Sequence, residues 1–296
     1  MEKVSVIGLG VMGSAIAGHL LDAGFPVRGY DVDVARGAEL AGRGGDAARS
    51  CEEAVHEADV AITSLPSVTA FEQVVTEVAD AAPPGLAIAE ASTLPLKAKE
   101  RGREVLAARG VTLLDCPLSG TGRQARAKDL AVYASGDHAT VNRLGPVFEG
   151  FARKWYDVGS FGAGSKLKFV ANLLVGIHNV AAAEALLLAR KAGLDLDLVL
   201  DVVSDGAGTS RMFEVRGPQM VRADYDDGGI RTRTFQKDVE IITAFARAHD
   251  CPVPLFSAAA QLYAAALGQG RDDEDPSCVY DVLADMAGVS RESSQD

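Results

Sequence analysis

The sequence predicts an α/β protein in two parts: a doubly wound, mostly parallel sheet followed by an all-α C-terminal half. Up to Gly159, short β-branched runs alternate with helical patterns, and strands separated by helices of about 10 to 15 residues are typical of a parallel sheet. After Gly159 the apolar residues recur only at helical spacing. We therefore expect one domain over residues 1–161 and a second over residues 162–296.

Composition narrows the class of protein. A length of 296 residues and a hydrophobic content of 48% fit a globular chain of two domains. The net charge of −12 repels polyanions, so we expect no nucleic-acid partner. No apolar run approaches the roughly 20 residues of a membrane span, and the N-terminus reads directly as a strand. We expect a cytoplasmic protein without a membrane partner.

The cysteines and histidines give no sign of a metal site. The four cysteines lie far apart without a C-x-x-C pair, which suits a reducing compartment. The five histidines are also scattered, without H-x-x-H spacing. We therefore predict no bound metal.

The first predicted strand leads into a glycine-rich turn and a helix. Lys3 to Ile7 is β-branched, G-L-G-V-M-G follows at residues 8 to 13, and an apolar helical pattern runs from Ser14 to Leu21. The three glycines serve a tight turn, close approach of a pyrophosphate, and packing of helix on strand. The phosphates would lie at the helix N-terminus. This predicts a Rossmann domain whose cofactor contacts include Gly8, Gly10, Val11, Met12 and Gly13.

An acidic residue ends the second predicted strand. Val27 to Tyr30 leads into Asp31, where a carboxylate accepts hydrogen bonds from both ribose hydroxyls of an adenosine and repels a 2′-phosphate. The predicted cofactor is therefore NAD. Arg36 lies close enough in sequence to reach a 2′-phosphate, which leaves NADP open.

The remaining strands of the first half bring their following loops to one edge. Strands are predicted at Val60–Leu65, Leu86–Glu90, Thr112–Asp115, Leu130–Ala134 and Lys154–Val158, with helices at 68–79, 96–108 and 139–150. Right-handed crossovers gather the C-terminal strand ends. That edge collects the glycine turn together with Asp31, Leu65, Pro66, Ser92, Thr93, Ser119 and Gly120. Ser92 and Thr93 offer hydroxyls to the nicotinamide ribose.

The second half reads as helices at about 165–191, 196–203, 210–221, 235–249, 255–267 and 276–287. The first is long, rich in alanine and apolar on too many sides for a surface helix. Such a helix is buried by its neighbours or by a second subunit. We therefore expect a homodimer or homotetramer.

Three cations are predicted in the first turns of helices, where the helix dipole disfavours positive charge. Lys168 follows a predicted N-cap at Ser165, Lys237 follows Thr234, and Arg211 follows Ser210. For Lys168, dipole and partial burial would lower the pKa of the ammonium, as suits a group that exchanges a proton. A solvated surface cation is the alternative for each of the three.

An asparagine side chain and a loop provide two further candidate binding groups. Asn172 lies four residues after Lys168, on the same helix face. The loop D-C-P-L-S-G-T-G at residues 115–122 offers a hydroxyl and open backbone amides that can hold a carboxylate. A plain turn is the alternative for this loop, and Cys116 within it reads as a small buried side chain.

Taken in order, these motifs resemble the β-hydroxyacid dehydrogenase family, which includes 3-hydroxyisobutyrate dehydrogenase, tartronate semialdehyde reductase and threonate-type sugar-acid dehydrogenases. The resemblance rests on the glycine turn at 8–13, D-C-P-L-S-G at 115–120, the stretch from Gly162 through Lys168 to Asn172, and F-Q-K-D at 235–238. It covers nearly the whole chain.

The resemblance implies roles for individual residues. Lys168 would be the general acid/base, Ser119 and Gly120 would bind the substrate carboxylate, Asn172 would hold the hydroxyl side, and Lys237 would lie near nicotinamide and substrate. Two positions depart from the family pattern. Thr121 stands where a second glycine is usual, and Ala171 stands where another asparagine is common.

The expected activity is hydride transfer between NAD(P) and a small 3-hydroxy acid: 3-hydroxyisobutyrate, glycerate or tartronate semialdehyde, or a threonate-like sugar acid. Residues 208–216, which contain Arg211, look like the sugar-acid branch, so Arg211 and Thr121 are added as substrate contacts. The alternatives are an imine reductase of similar architecture, which typically lacks a lysine at the position of Lys168, and a protein that senses the dinucleotide without turnover.

Overall fold

The computed structural model describes residues 1–226 and 230–289. The chain forms two compact units, Met1–Lys168 and Phe169–Asp296. The domain boundary after residue 161 stays a prediction.

The first unit is built on a six-stranded sheet. Its strands are β1 (Val4–Ile7), β2 (Val27–Tyr30), β3 (Asp46–Ala47), β4 (Val60–Thr63), β5 (Ala87–Glu90) and β6 (Thr112–Asp115). They pair in the order β3-β2-β1-β4-β5-β6, and each pairing is parallel. The predicted doubly wound parallel sheet is confirmed.

Five helices cover the two faces of this sheet: α1 (Val11–Asp22), α2 (Val34–Gly42), α3 (Cys51–Val55), α4 (Val68–Ala81) and α5 (Leu96–Ala107). Three shorter helices follow, α6 (Gly122–Arg126), α7 (His138–Arg143) and α8 (Gly145–Phe151), of which α6 and α8 pack on α1 and α7 packs on α8. Successive strand residues point to opposite faces, so the sheet lies between two apolar clusters. Val6 and Ile62 lie in the cluster with Ile16 of α1, whereas Ile7 and Ala61 lie in the cluster with Phe71 of α4.

Two predicted strands belong to a second sheet, which corrects the sequence-based expectation of one sheet. β7 (Leu118–Ser119), β8 (Ala131–Ala134) and β9 (Lys154–Asp157) pair in that order, β7 with β8 antiparallel and β8 with β9 parallel. Pro117 lies two residues after the end of β6, and proline cannot donate to a strand ladder, so the chain leaves the first sheet there. The predicted helix at 139–150 is also two helices, α7 and α8, which divide at Leu144.

The second unit is helical over its described residues, 169–226 and 230–289. α9 (Ala163–Lys191) enters it from the first unit, followed by α10 (Leu196–Asp205), α11 (Arg211–Arg222), α12 (Thr232–Ala248), α13 (Pro254–Gly268), a 3-10 turn (Pro276–Cys278) and α14 (Val279–Met286). By length and composition α9 could cross a membrane. Its buried residues Phe169, Ala183 and Leu186, however, pack in the core of the second unit, as in the central helix of a globular domain.

Two helix starts differ from the prediction. α9 begins at Ala163, so Ser165 lies inside the helix and Lys168 in its second turn. α12 begins at Thr232 after Arg231, so Thr234 is not its N-cap and Lys237 is also in the second turn. Helix dipole effects fall off within the first turn. An unfavourable dipole is therefore a weaker indication of function for Lys168 and Lys237 than the sequence predicts. Ser210 does cap α11, which begins at Arg211.

Candidate active site

The predicted site loops of the first unit follow one row of residues across the sheet. Ile7 pairs with Tyr30 on one side and Thr63 on the other, Thr63 pairs with Glu90, and Glu90 pairs with Asp115. These residues end their strands. The loops that follow them therefore leave the sheet at one edge, where α/β proteins of this topology bind their ligands.

The glycine turn has the geometry of a pyrophosphate cradle. Gly8 has φ +89°, and a Cβ there would lie 2.3 Å from the carbonyl oxygen of Ser64. A Cβ on Gly13 would lie 1.8 Å from the carbonyl oxygen of Gly8, so glycine is required for α1 to pack on the turn. Gly10 is the N-cap of α1 without a side-chain hydrogen bond. The first amides of α1 thus fit an anion, and exposed Val11 and half-buried Met12 flank them.

Asp31 is held firmly beside this turn. Its Oδ2 accepts a hydrogen bond from the Leu9 backbone N–H at 2.7 Å, and its Oδ1 accepts one from the Asp33 N–H at 2.9 Å. Arg36 Nη1 lies 3.3 Å from Asp31 Oδ2, and Arg36 Nε lies 3.4 Å from Asp33 Oδ2. A Cβ on Gly10 would lie 3.4 Å from Arg36 Nη1. The Arg36 guanidinium therefore lies beside both the Asp31 carboxylate and the glycine turn.

The loops after β4 and β5 are tied to each other. The Leu65 backbone N–H donates to Ser92 Oγ at 2.7 Å, and Ser92 is buried. Ser92 Oγ thus accepts a hydrogen bond within the protein, and the assignment of its hydroxyl to the nicotinamide ribose stays a prediction. Thr93 and Leu65 are half-buried and Pro66 is exposed at the same edge.

The loop after β6 forms the start of the second sheet. Ser119 ends β7, and Gly120 has φ +138°, a backbone conformation that favours glycine. Thr121 caps α6: its Oγ1 accepts from the Gln124 N–H at 3.4 Å, while Gln124 Oε1 accepts from the Thr121 N–H at 3.0 Å. The Thr121 hydroxyl thus caps α6, and its predicted role as a substrate contact stays a prediction.

Asp115 joins this loop to the start of α9. Its Oδ2 accepts from the Ser165 backbone N–H and its Oδ1 from the Ser165 hydroxyl, both at 2.7 Å. Ser135 Oγ donates to the Asp115 carbonyl oxygen at 3.0 Å and accepts from the Gly164 N–H at 3.0 Å. Half-buried Lys168 follows one turn later. The carboxylate loop and the lysine helix are therefore anchored to one buried carboxylate.

The second unit holds the other predicted substrate residues. Asn172 is buried and its Nδ2 donates to Asp238 Oδ2 at 2.9 Å. Lys237 Nζ lies 3.9 Å from Asp238 Oδ1. The structure thus brings Asn172 together with the F-Q-K-D segment. Arg211 is exposed and pairs with Glu214 at 3.0 Å.

Sequence reasoning missed three charged residues that organise these groups. Asp238 orients Asn172, although its place in the F-Q-K-D motif predicted no role for it. Glu90 and Lys99 are completely buried beside Asp115. A signal for Lys99 was present, because it shares the buried face of α5 with Gly102 and Leu106, where a lone lysine at helical spacing requires a partner.

Cys116 is completely buried, and burial raises the pKa of its thiol above the ordinary value. A buried thiol of this kind is a poor nucleophile. No group of three or more His, Cys, Asp or Glu within residues 1–226 and 230–289 is arranged to hold a metal ion.

This chain matches known families along most of its length. Residues 3–159 match the NAD binding domain of 6-phosphogluconate dehydrogenase, and residues 162–283 match the NAD-binding domain of NADP-dependent 3-hydroxyisobutyrate dehydrogenase. It is 36% identical over 287 residues to an L-threonate dehydrogenase of Cupriavidus necator, covering 95% of this chain and 96% of the relative.

Two solved structures are similar to this chain over nearly its whole length. A 3-hydroxyisobutyrate dehydrogenase from Salmonella typhimurium has a TM-score of 0.87 at 34% identity, covering 95% of this chain and 100% of that one. A Mycobacterium tuberculosis 3-hydroxyisobutyrate dehydrogenase solved with L-serine has a TM-score of 0.87 at 31% identity, covering 96% and 99%.

The fold and the site define a nicotinamide-dependent oxidoreductase with a Rossmann domain followed by a helical domain. The chain belongs to the β-hydroxyacid dehydrogenase family. It is an NAD(P)-dependent hydroxy-acid dehydrogenase acting on a small molecule.

Proposed function

We propose that this enzyme oxidises a small 3-hydroxy acid with NAD and that Lys168 is its general acid/base. The single observation that carries the proposal is the double role of Asp115. This carboxylate begins the loop to Ser119 and Gly120 and also binds the backbone and side chain of Ser165, three residues before Lys168. A carboxylate-binding loop and a lysine are thereby fixed in one compact unit.

When bound, the nicotinamide of the dinucleotide would supply the hydride acceptor for the carbon that carries the hydroxyl group. The C–H bond breaks with its electron pair, and Lys168 Nζ takes the hydroxyl proton as the carbonyl forms. In reduction the protonated lysine returns that proton to the developing alkoxide. A positioned acid/base of this kind contributes about 10²- to 10⁴-fold in rate.

The proposed binding residues follow from the loops described above. Gly8, Gly10, Val11, Met12 and Gly13 hold the pyrophosphate, Asp31 the adenosine ribose, and Leu65, Pro66 and Thr93 the remainder of the dinucleotide. Ser119 and Gly120 bind the substrate carboxylate, and Asn172 binds the hydroxyl side of the substrate. Lys237 contacts cofactor or substrate, and Arg211 contributes to substrate choice.

The proposed substrate class is a polyhydroxylated acid of the threonate type. Two observations support it: the sugar-acid character of residues 208–216 and the 36% identity to an L-threonate dehydrogenase over 95% of the chain. The test measures initial rates with NAD and NADP on L-threonate, erythronate, glycerate, 3-hydroxyisobutyrate, 3-hydroxypropionate and serine. We expect the highest kcat/KM with a four-carbon sugar acid, and preference for 3-hydroxyisobutyrate would contradict this choice.

The proposed assembly is a cytoplasmic homodimer or homotetramer. Leu174 and Leu188 of α9 are 46% and 72% exposed, and Leu198 and Val202 of α10 are 60% and 63% exposed. Apolar surface on neighbouring helices marks an interface. Light scattering should give at least twice the chain mass of 30.9 kDa, and Leu198→Asp with Val202→Asp should reduce it. A monomeric wild type would contradict the proposal.

A further inference from the structure

Two carboxylates and one ammonium lie together in the interior of the first unit. Glu90 and Asp115 are register partners at the ends of β5 and β6, and both are completely buried. Lys99 Nζ, also completely buried, lies 2.8 Å from Asp115 Oδ1 and 3.9 Å from Glu90 Oε1. Neighbouring like charges away from water require a shared counter-ion, and Lys99 is placed to provide it.

Glu90 connects this cluster to the loops on one side. Its Oε2 accepts from the Thr63 hydroxyl, and its Oε1 accepts from the Ser92 N–H at 2.7 Å. Ser92 Oγ in turn holds the Leu65 N–H. The Glu90 carboxylate therefore holds the segments that carry Leu65, Pro66 and Thr93 in place.

Asp115 connects the cluster to the loops on the other side. It holds both the backbone and the hydroxyl of Ser165, and it begins the loop that leads to Ser119. Ser135 bonds the Asp115 carbonyl oxygen and receives the Gly164 N–H. The start of α9 is thus held by Asp115, whose carboxylate forms the ion pair with Lys99.

We infer that Lys99 is a positioning residue for the reaction: through Glu90 and Asp115 it locks the loops at 63–66, 90–93 and 115–120 and the start of α9 into one arrangement. Lys99 touches neither substrate nor cofactor in this role. Without its ammonium the two carboxylates repel each other, Asp115 moves from Ser165, and Lys168 loses its fixed place. This inference rests on the proposed role of Lys168 for its kinetic consequence but not for its structural one.

The test compares Lys99→Met with two controls on the same helix. Lys97→Met removes an exposed ammonium. Leu106→Ala makes a cavity at a completely buried apolar residue that belongs to the cluster around Phe71, so it reports general destabilisation. All proteins are studied well below their melting temperatures, and melting curves establish that each is folded.

The first readout is hydrogen exchange of a peptide spanning residues 160–169, which requires no turnover. We expect Lys99→Met to accelerate exchange of the Gly164 and Ser165 amides at least about tenfold, while Leu106→Ala and Lys97→Met leave them within about threefold. Equal acceleration in Lys99→Met and Leu106→Ala would overturn the inference, because the lysine would then act only through stability.

The second readout is kinetic. Lys99→Met should lower kcat at least about 30-fold, since misplacement of a catalytic group by about 1 Å costs on the order of 10²-fold. NAD should also bind more weakly, because the loops that Lys99 positions carry Leu65, Pro66 and Thr93, the proposed dinucleotide contacts. Leu106→Ala should keep kcat. Unchanged kcat and unchanged exchange in folded Lys99→Met would refute the positioning role.

A milder variant applies if Lys99→Met does not fold. Ser165→Ala removes the hydroxyl donor to Asp115 and keeps the charges. We expect faster exchange of the Ser165 amide and a kcat reduced about five- to tenfold, whereas wild-type values for both would overturn the inference. If the wild type turns over no hydroxy acid, the proposed function fails and hydrogen exchange alone decides the role of Lys99.

Discussion

Replacement of Asp31 by asparagine should move the enzyme from NAD towards NADP. Asp31 presents its carboxylate beside the glycine turn and is only 8% exposed in its side chain. A 2′-phosphate carries about −2 charge and would stand close to that carboxylate, because Asp31 is the proposed partner of the adenosine ribose. Asparagine removes this repulsion and also releases Arg36, now 3.3 Å from Asp31 Oδ2.

The magnitude follows from Coulomb's law. Charges of −1 and −2 at roughly 5 Å repel by about 1.7 kcal/mol at a dielectric constant of about 80 and by about 3.3 kcal/mol at about 40. Salt with a Debye length of about 8 Å roughly halves these values. The remaining 1 to 2 kcal/mol, approximately, corresponds to about a tenfold gain in kcat/KM with NADP.

Asparagine also leaves one backbone N–H, that of Leu9 or Asp33, without its carboxylate oxygen, at a cost of about 1 to 3 kcal/mol. This cost applies to both cofactors and cancels in the ratio of their kcat/KM values. With NAD, kcat/KM should fall because the ribose loses a charged acceptor. The assay is therefore the NADP to NAD ratio, measured as initial rates at fixed substrate.

Asp33→Asn is the matched control. It removes a second carboxylate that contacts Arg36, and asparagine still caps α2 in place of Asp33. The control should change the ratio by less than about threefold, which is under 1 kcal/mol. Adding Arg36→Ala to Asp31→Asn should keep the gain that comes from the lost repulsion and remove only what the released Arg36 adds. An unchanged ratio in Asp31→Asn would refute the electrostatic argument.

Two further predictions concern stability. Thr121→Ala removes the cap of α6 and should lower the free energy of unfolding in urea by about 1 kcal/mol. Because the Thr121 hydroxyl bonds the helix, kcat should stay within about threefold. A loss of kcat above about tenfold would indicate that Thr121 contacts the substrate. Burial raises the pKa of the Cys278 thiol to about 11 from an ordinary value of 9.0. Between these pH values the unfolded chain releases a proton that the folded protein keeps, so stability should fall by about 1.4 kcal/mol per pH unit. Urea unfolding at several pH values should show a smaller slope in Cys278→Ala, and an identical slope in both proteins would contradict this reasoning.

The sheet could be predicted because its signals are local. Val27–Tyr30 and Thr112–Asp115 are short apolar runs bounded by turn residues, and the structure gives both as strands with those bounds. β3, with two residues, carries no periodicity that a sequence can show. The second sheet was missed because strand partners depend on where the chain turns after Pro117, and such turns are decided by tertiary packing.

The candidate site was predictable where backbone chemistry dictates residue type. Gly8 and Gly13 stand where a Cβ would collide with backbone oxygens, so the motif itself reveals the turn. The cluster of Glu90, Lys99 and Asp115 was not predictable in this way. Its three members are contributed by β5, α5 and β6, and only the register of β5 against β6 places the two carboxylates side by side.

The central claim, that Lys168 exchanges the substrate proton, is tested most directly by Lys168→Ala beside Lys166→Ala, an exposed lysine two residues earlier on the same helix. Turnover of the best hydroxy acid and NAD affinity by fluorescence titration are measured for both. The account predicts that Lys168→Ala loses at least about 10²-fold in kcat and keeps its NAD affinity, while Lys166→Ala matches the wild type. Turnover of Lys168→Ala within a few-fold of the wild type would contradict the claim.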